Sequence, residues 1–266
     1  MEDEKMLVKC MVFIGVFALI ISSLTLADDP PYKHPKTDEP LVIQGLRGTP
    51  RAIDGSLNDW QINYLKPAVL DVKEQLFLGA GSWDGVKDLS GNFYVIWDDK
   101  NIYIAAVVKD DKLSMNKAGD TIWNADAIEI LLSRPEKAAT TGTEHYQYGF
   151  NANNQKWNWC NMDGAGNKEP DYLKIASSKT ADGYICEASI DYKQMKSIEF
   201  KTGNAVAFHP VLDDTEVADR EIQMTWTGLE AHNQTMGYGH IILSSHEMSV
   251  SSESKTVLTW GAIKNQ

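Results

Sequence analysis

Histidine and cysteine are scarce in this chain of 266 residues, six and three respectively, and Lys and Arg together number 25 against 37 Asp and Glu. The resulting formal charge of −12 repels phosphate, so nucleic acid and anionic membrane are poor partners, whereas neutral ligands and cations fit. No pair of His has metal-ligand spacing, no Ser-His-Asp pattern stands out, and no glycine-rich nucleotide loop is present. A glycoside hydrolase would need two carboxyls flanking one bond. Asp126 and Glu129 are the nearest such pair, and their odd spacing on a strand sends them to opposite faces. The chain therefore reads as a binding protein and not an enzyme. A sustained helical period is lacking too. Strands recur at short spacing instead, which implies an all-β antiparallel sandwich.

Long apolar runs are confined to residues 11–26, which follow Lys5 and Lys9 and end in Thr25-Leu26-Ala27. That pattern reads as a secretory signal over 1–27, too short for a span, and places the protein outside the cytoplasm, secreted or in a periplasm or cell envelope. Cys10 leaves with it. Cys160 and Cys186 then face an oxidising compartment, and two outcomes stay open: one disulfide between them, or two buried thiols. Residues 28–40 hold four of the nine prolines and suit an extended linker. The folded domain is expected over 41–244. Residues 245–266 read as a Ser-rich connector followed by a strand at 256–263 that docks back on the domain.

What is present is concentrated between residues 91 and 133. Phe93, Val95 and Trp97 alternate with Tyr94 and Ile96, Asp98-Asp99-Lys100-Asn101 breaks the run, and Ile102, Ile104, Ala106 and Val108 resume it, which predicts a hairpin. Its second strand is apolar at both parities and so belongs inside the sheet system. A third strand is expected over 127–132, with Ile128, Ile130 and Leu132 on one face and Glu129 on the other. Trp123 stands six residues before Glu129, so an indole and an acid are offered together. Further strands are expected over 145–151, 156–161, 205–212, 222–226 and 240–243. A hairpin over 173–190 turns at Ala181-Asp182-Gly183, and a short helix follows over 192–196. Trp60 is expected in the core, and Trp83, in a glycine-rich loop, as a lid on it or as a platform for a ligand.

Five stretches in consistent order then carry a resemblance: IDGSLNDW at 53–60, NFYVIWDDKNIYIAAVVKDDKL at 92–113, IWNADAIEILL at 122–132, DGYICEASI at 182–190, and the ending from Trp226 to GYGHIIL at 237–243. Together they resemble the family 9 carbohydrate-binding module. The resemblance implies a DOMON-like β-sandwich of jelly-roll or immunoglobulin-like kind. It also implies a terminal sugar unit, the end of an oligo- or polysaccharide, held between two tryptophans with carboxylate and amide groups on its hydroxyls, and calcium supporting the loops. Trp123 matches the first tryptophan and Glu129 the carboxylate. Chemistry agrees, since an indole face covers the apolar face of a pyranose and a carboxylate accepts hydroxyl hydrogen bonds.

The departures are specific. The family's basic residue on the neighbouring strand falls near Gly149, and its second tryptophan falls in residues 228–236, which contain none and offer only His232, Asn233 and Gln234. Asn151 and Asn233 are the amide candidates, and Trp157, with Trp159 on the same face, is the candidate replacement ring. For calcium the acidic pairs at strand ends supply Asp98, Asp110 and Asp111, with Asp99, Asp213 and Asp214 beside them. Two other functions remain as alternatives: haem binding, for which Met115, Met224, Met236, His209 and His240 supply the residue types, and an assembly module that has lost sugar affinity.

Overall fold

The computed structural model describes residues 31–135, 145–231 and 238–247. The signal segment, the strand expected at 256–263 and Asn233 lie outside the described residues. In chain order the strands are β1 (Val42–Arg47), β2 (Ala68–Leu70), β3 (Leu76–Leu78), β4 (Leu89–Trp97), β5 (Asn101–Asp110), β6 (Ala127–Ser133), β7 (Tyr146–Phe150), β8 (Lys156–Cys160), β9 (Leu173–Thr180), β10 (Gly183–Asp191), β11 (Ala205–Asp214), β12 (Ile222–Thr225) and β13 (Gly239–Glu247).

Neighbouring strands run in the order β8-β7-β6-β11-β13-β1-β4-β5-β10-β9, with β12 joining β11 to β3 and β2 flanking β4. The path folds over at β13 and β1 into two layers facing one apolar core. Ile128, Ile130, Leu132, Tyr148, Phe208 and Leu212 enter that core from one layer, and Val95, Ile104, Val108, Tyr184 and Ile190 from the other. Pairing is antiparallel except at β1, which lies parallel to both β13 and β4.

The expected hairpin forms β4 and β5, in register from Leu89 opposite Asp110 to Trp97 opposite Ile102. Both parities of β5 are buried because the second face, with Tyr103 and Ala105, meets Trp60, Leu65 and Ile96 in a smaller cluster. Trp60 is wholly enclosed, and its indole N–H donates to Glu187 Oε1 at 2.6 Å. Trp83 packs against the main core and donates to the Leu89 carbonyl at 2.9 Å.

Three strands escaped the sequence pattern. The segments β1, β2 and β3 are short or lack alternation, and their stability comes from partners far along the chain. Residues 31–40, expected as an extended linker, instead carry a bridge from Lys33 to Pro40 and tie to Tyr238 through the Tyr32 N–H at 3.0 Å. The expected helix at 192–196 is only a 3-10 turn, Tyr192–Gln194, capped by Asp191. Strand β13 runs on to Glu247, beyond the expected Leu243.

Cys160 and Cys186 form no disulfide, and both remain thiols. Their strands, β8 and β10, lie far apart in the order. Cys186 faces the core with Ser177 Oγ at 2.8 Å, and burial pushes its thiol up to about 12.

Candidate functional site

Residues that pair across strands point to the same side, so the outer face of one layer is a row: Gln223 beside Asp213, Val211 beside Glu129, and Glu129 beside Gly149. The inner face of these same strands is core, and the outer one would lie open. A 3-10 turn, Gly119–Asn124, packs over β6, β7, β8 and β11 and brings Trp123 above the row. Loop residue Arg220 packs against that turn, and β3, paired to β12, adds Phe77. The result is a cavity of about 370 Å³ lined by Phe77, Trp123, Glu129, Gln147, Trp159 and Arg220, with Cys160, Gln223, Glu230 and Ala231 completing it.

Trp123 is 37% exposed, unusual for the largest apolar side chain. The Arg220 guanidinium lies 4.7 Å from its ring centroid and covers part of the indole. Arg220 in turn donates to Asp213 Oδ1 at 2.8 Å and lies 3.9 Å from Glu129 Oε1. Its backbone N–H donates to Asn124 Oδ1 at 3.0 Å, which ties the loop to the turn that carries Trp123. Glu129, 2% exposed, accepts from Gln147 Nε2 at 2.6 Å. Burial raises the Glu129 carboxyl well above the usual carboxylate range, and the facing Asp213 raises it further. Asp213 is raised by burial as well, an effect that Arg220 opposes.

Gly149 explains a departure noted in the sequence. A Cβ there would meet the Trp159 ring at 2.3 Å, so the position that the family gives to a basic residue is covered here by an indole. The cation that reaches Glu129 instead is Arg220, from a loop that sequence spacing could not place. Phe77, Gln147, Arg220 and Gln223 all went unmarked in the sequence. Only the alternation of β7 and β12 offered a signal, and only for the two glutamines.

Of the other expected site residues, Asn151 is buried in a turn, where its Oδ1 accepts from the Asn153 and Gln155 N–H groups and its Nδ2 donates to Gln155 at 2.9 Å. It is spent on the turn and does not line the cavity. Trp157 stands on the same face but outside the lining, donating to Asn167 Oδ1 at 3.3 Å. Trp159 is the ring that reaches in.

The expected cation residues part ways. Asp98 is saturated by Thr49, Tyr103 and the N–H groups of Lys100 and Asn101, all at 2.6 to 2.8 Å, and closes the β4–β5 turn; among the described residues it belongs to no cluster of three acids. Asp110 joins Asp126 and Asp214, with ligand atoms within 4.8 Å of one another, and Asp111 joins Asp88 and Glu216. In the first group Asp110 Oδ2 and both Asp214 oxygens are buried with no hydrogen-bond partner. Burial, reinforced by the neighbouring acids, pushes Asp214 up to about 8, Asp110 to about 7 and Asp126 to about 6. Orphaned, clustered carboxylate oxygens are the donor set that a hard cation takes. Asp213 and Asp214, adjacent on β11, serve opposite faces: the first supports the cavity, the second this cluster.

Of the residues that haem would require, Met236 lies outside the described residues, and two others are taken up by packing. Met224 is in the core, and His209 is sealed in a stack with Tyr238 at 4.9 Å, burial lowering its imidazole to about 3.

A β-sandwich with an aromatic-walled, acid-floored pocket on one outer face is the architecture of a small-ligand binding module. Among the described residues no helix is long and apolar enough to cross a membrane. The chain belongs to the carbohydrate family 9 binding domain-like family, whose profile matches residues 53–246, and it is a carbohydrate-binding module. It is 26% identical over 220 residues to the exoglucanase XynX of Acetivibrio thermocellus, 81% of this chain but 18% of that protein. An endo-1,4-beta-xylanase A of Thermotoga neapolitana is 28% identical over 163 residues, 60% of this chain and 14% of the other. The chain thus spans less than a fifth of the length of these relatives. The fold is shared with a family 9 module of Caldicellulosiruptor kristjanssonii solved with cellotriose, at a TM-score of 0.59 and 19% identity, covering 79% of this chain and 96% of that one.

Proposed function

We propose that the cavity holds a terminal sugar unit of an oligo- or polysaccharide without chemical conversion, in a secreted protein that supports polysaccharide breakdown. The observation that carries this reading is Trp123, left 37% exposed at a cavity that a buried acid, Glu129, also lines. The indole covers the apolar face of the ring, and Glu129, Gln147 and Gln223 meet its hydroxyls. A site of this size buries little area, so affinities in about the micromolar to millimolar range follow. Calorimetric titration with cellobiose, xylobiose and related sugars tests it. Trp123→Ala is expected to weaken binding about 30-fold, about 2 kcal/mol, and unchanged affinity would remove the site.

Calcium belongs to the same proposal. Asp110, Asp126 and Asp214 would hold it, and its positive charge would stabilise three acids that burial otherwise disfavours. Asp126 also accepts from the Thr215 N–H at 2.9 Å, at the start of the loop that carries Arg220, so the cluster and the cavity share a wall.

A further inference from the structure

Phe77 sits where a soluble protein has least reason to place a phenyl ring. It is 43% exposed, on a strand of three residues that pairs only with β12 among the described residues. Its neighbour Leu78 is 42% exposed as well. An apolar edge of this kind invites association and is ordinarily blunted by charge. Here the ring lines the cavity that Trp123, Glu129 and Arg220 also line. Trp123 shares its indole with the guanidinium, whereas Phe77 stacks on no ring or cation among the described residues. With Trp159, it lines the pocket as an aromatic ring that no other ring or cation covers among the described residues.

Resting on the sugar-binding reading, we propose that Phe77 is the second stacking wall of the pocket and sets its stereochemical preference. A ring lying between the Phe77 and Trp123 walls meets an aromatic surface on each face, and each aromatic surface accepts C–H groups and excludes an axial hydroxyl, which would lose its water without gaining a partner. A pyranose with every ring hydroxyl equatorial, of gluco or xylo configuration, presents axial hydrogens on both faces. A galacto or manno ring places an axial hydroxyl on one of them. Preference for the first class follows, with Phe77 as the residue that enforces it. The position also explains why residues 228–236 do without a tryptophan: the wall comes from β3, an element distant in sequence.

Titration of the whole chain, in calcium, with the methyl β-glycosides of glucose, xylose, galactose and mannose tests the inference in wild type, Phe77→Ala and Phe77→Trp. Wild type is expected to prefer the equatorial sugars at least tenfold. Phe77→Ala should weaken them about tenfold and erase the preference while the unfolding midpoint stays within about 1 °C, because an exposed ring contributes little to stability. Phe77→Trp should restore both affinity and preference. If wild type binds sugars and Phe77→Ala binds them within twofold with its preference intact, the inference falls and the sugar reading stands. If wild type binds none of these sugars or their disaccharides, both fall. Weakened binding that Phe77→Trp does not restore overturns the stacking role.

Discussion

Two of the glutamates on the strands of this sandwich, Glu187 and Glu129, are almost wholly buried, and their surroundings differ in one respect. Glu187 on β10 lies between Ala105 and Ala176, whose small side chains let the 54–60 loop descend onto it. Its Oε2 accepts the N–H groups of Asp54, Gly55 and Ser56 at 2.9, 2.6 and 3.1 Å, and its Oε1 accepts the Trp60 indole. Gly55 is required there, with φ +83° and the Ser177 backbone 2.8 Å from any Cβ. Glu129 on β6 lies between Val211 and Gly149. It has one amide donor in hydrogen-bond range, a guanidinium at 3.9 Å and another acid beside it. Where backbone donors saturate a buried acid, the acid holds a loop in place. Where they stop short and a cavity begins, the acid is left with capacity for a ligand.

The contrast is broken first at its strong end. Glu187→Ala strands four donors in the interior and is expected to cost about 4 kcal/mol or more in urea unfolding, with sugar affinity unchanged in the fraction that folds. An effect below about 1 kcal/mol would mean that the loop does not depend on that carboxylate.

The acidic cluster gives the next largest effect, and it depends on pH. Asp110, Asp126 and Asp214 have folded-state pKa values above their unfolded ones, so the folded chain binds more protons and stability falls as pH rises from about 4 to about 8 in chelator. Calcium at a hundredfold excess over its Kd is expected to raise the midpoint by about 5–10 °C at pH 8 and by less at pH 5. Asp214→Asn should raise the midpoint in chelator at pH 8 and abolish the calcium response. A calcium response independent of pH would place the ion elsewhere.

Gly149→Ala is a smaller perturbation. It displaces the Trp159 ring into the cavity, costing about 1–3 kcal/mol of stability and weakening sugar binding about tenfold. Reductant should have the least effect, moving the midpoint by less than about 1 °C, because neither thiol is tied to the other.

Much of the sandwich was legible because alternation is a local property. The β4–β5 hairpin, β6 with Glu129 turned away from the core, and the β9–β10 turn at Asp182-Gly183 all follow from period-two patterning. Less of the cavity was legible. Trp123 and Glu129 come from one short stretch, but Phe77, Arg220 and Gln223 reach it from β3, a loop and β12, through cross-strand pairing that no local pattern encodes. Asn151 and Trp157 had the right chemistry for a ligand, and local turns claimed them first. The sequence offered Asp213 and Asp214 as one acidic pair, but on β11 they take opposite faces, and no local pattern revealed that Asp126 completes the second group.

That division has a genetic consequence. Inserting a single codon in β11 upstream of residue 213 would put Asp213 in the interior place of Asp214 and Leu212 in the cavity row, whereas deleting one would bring Asp214 to the cavity row and leave Thr215 at the acidic cluster. Length in this strand is therefore constrained as tightly as composition: every residue of β11 is buried, and a change of one residue in length takes the acid from one chamber or from the other.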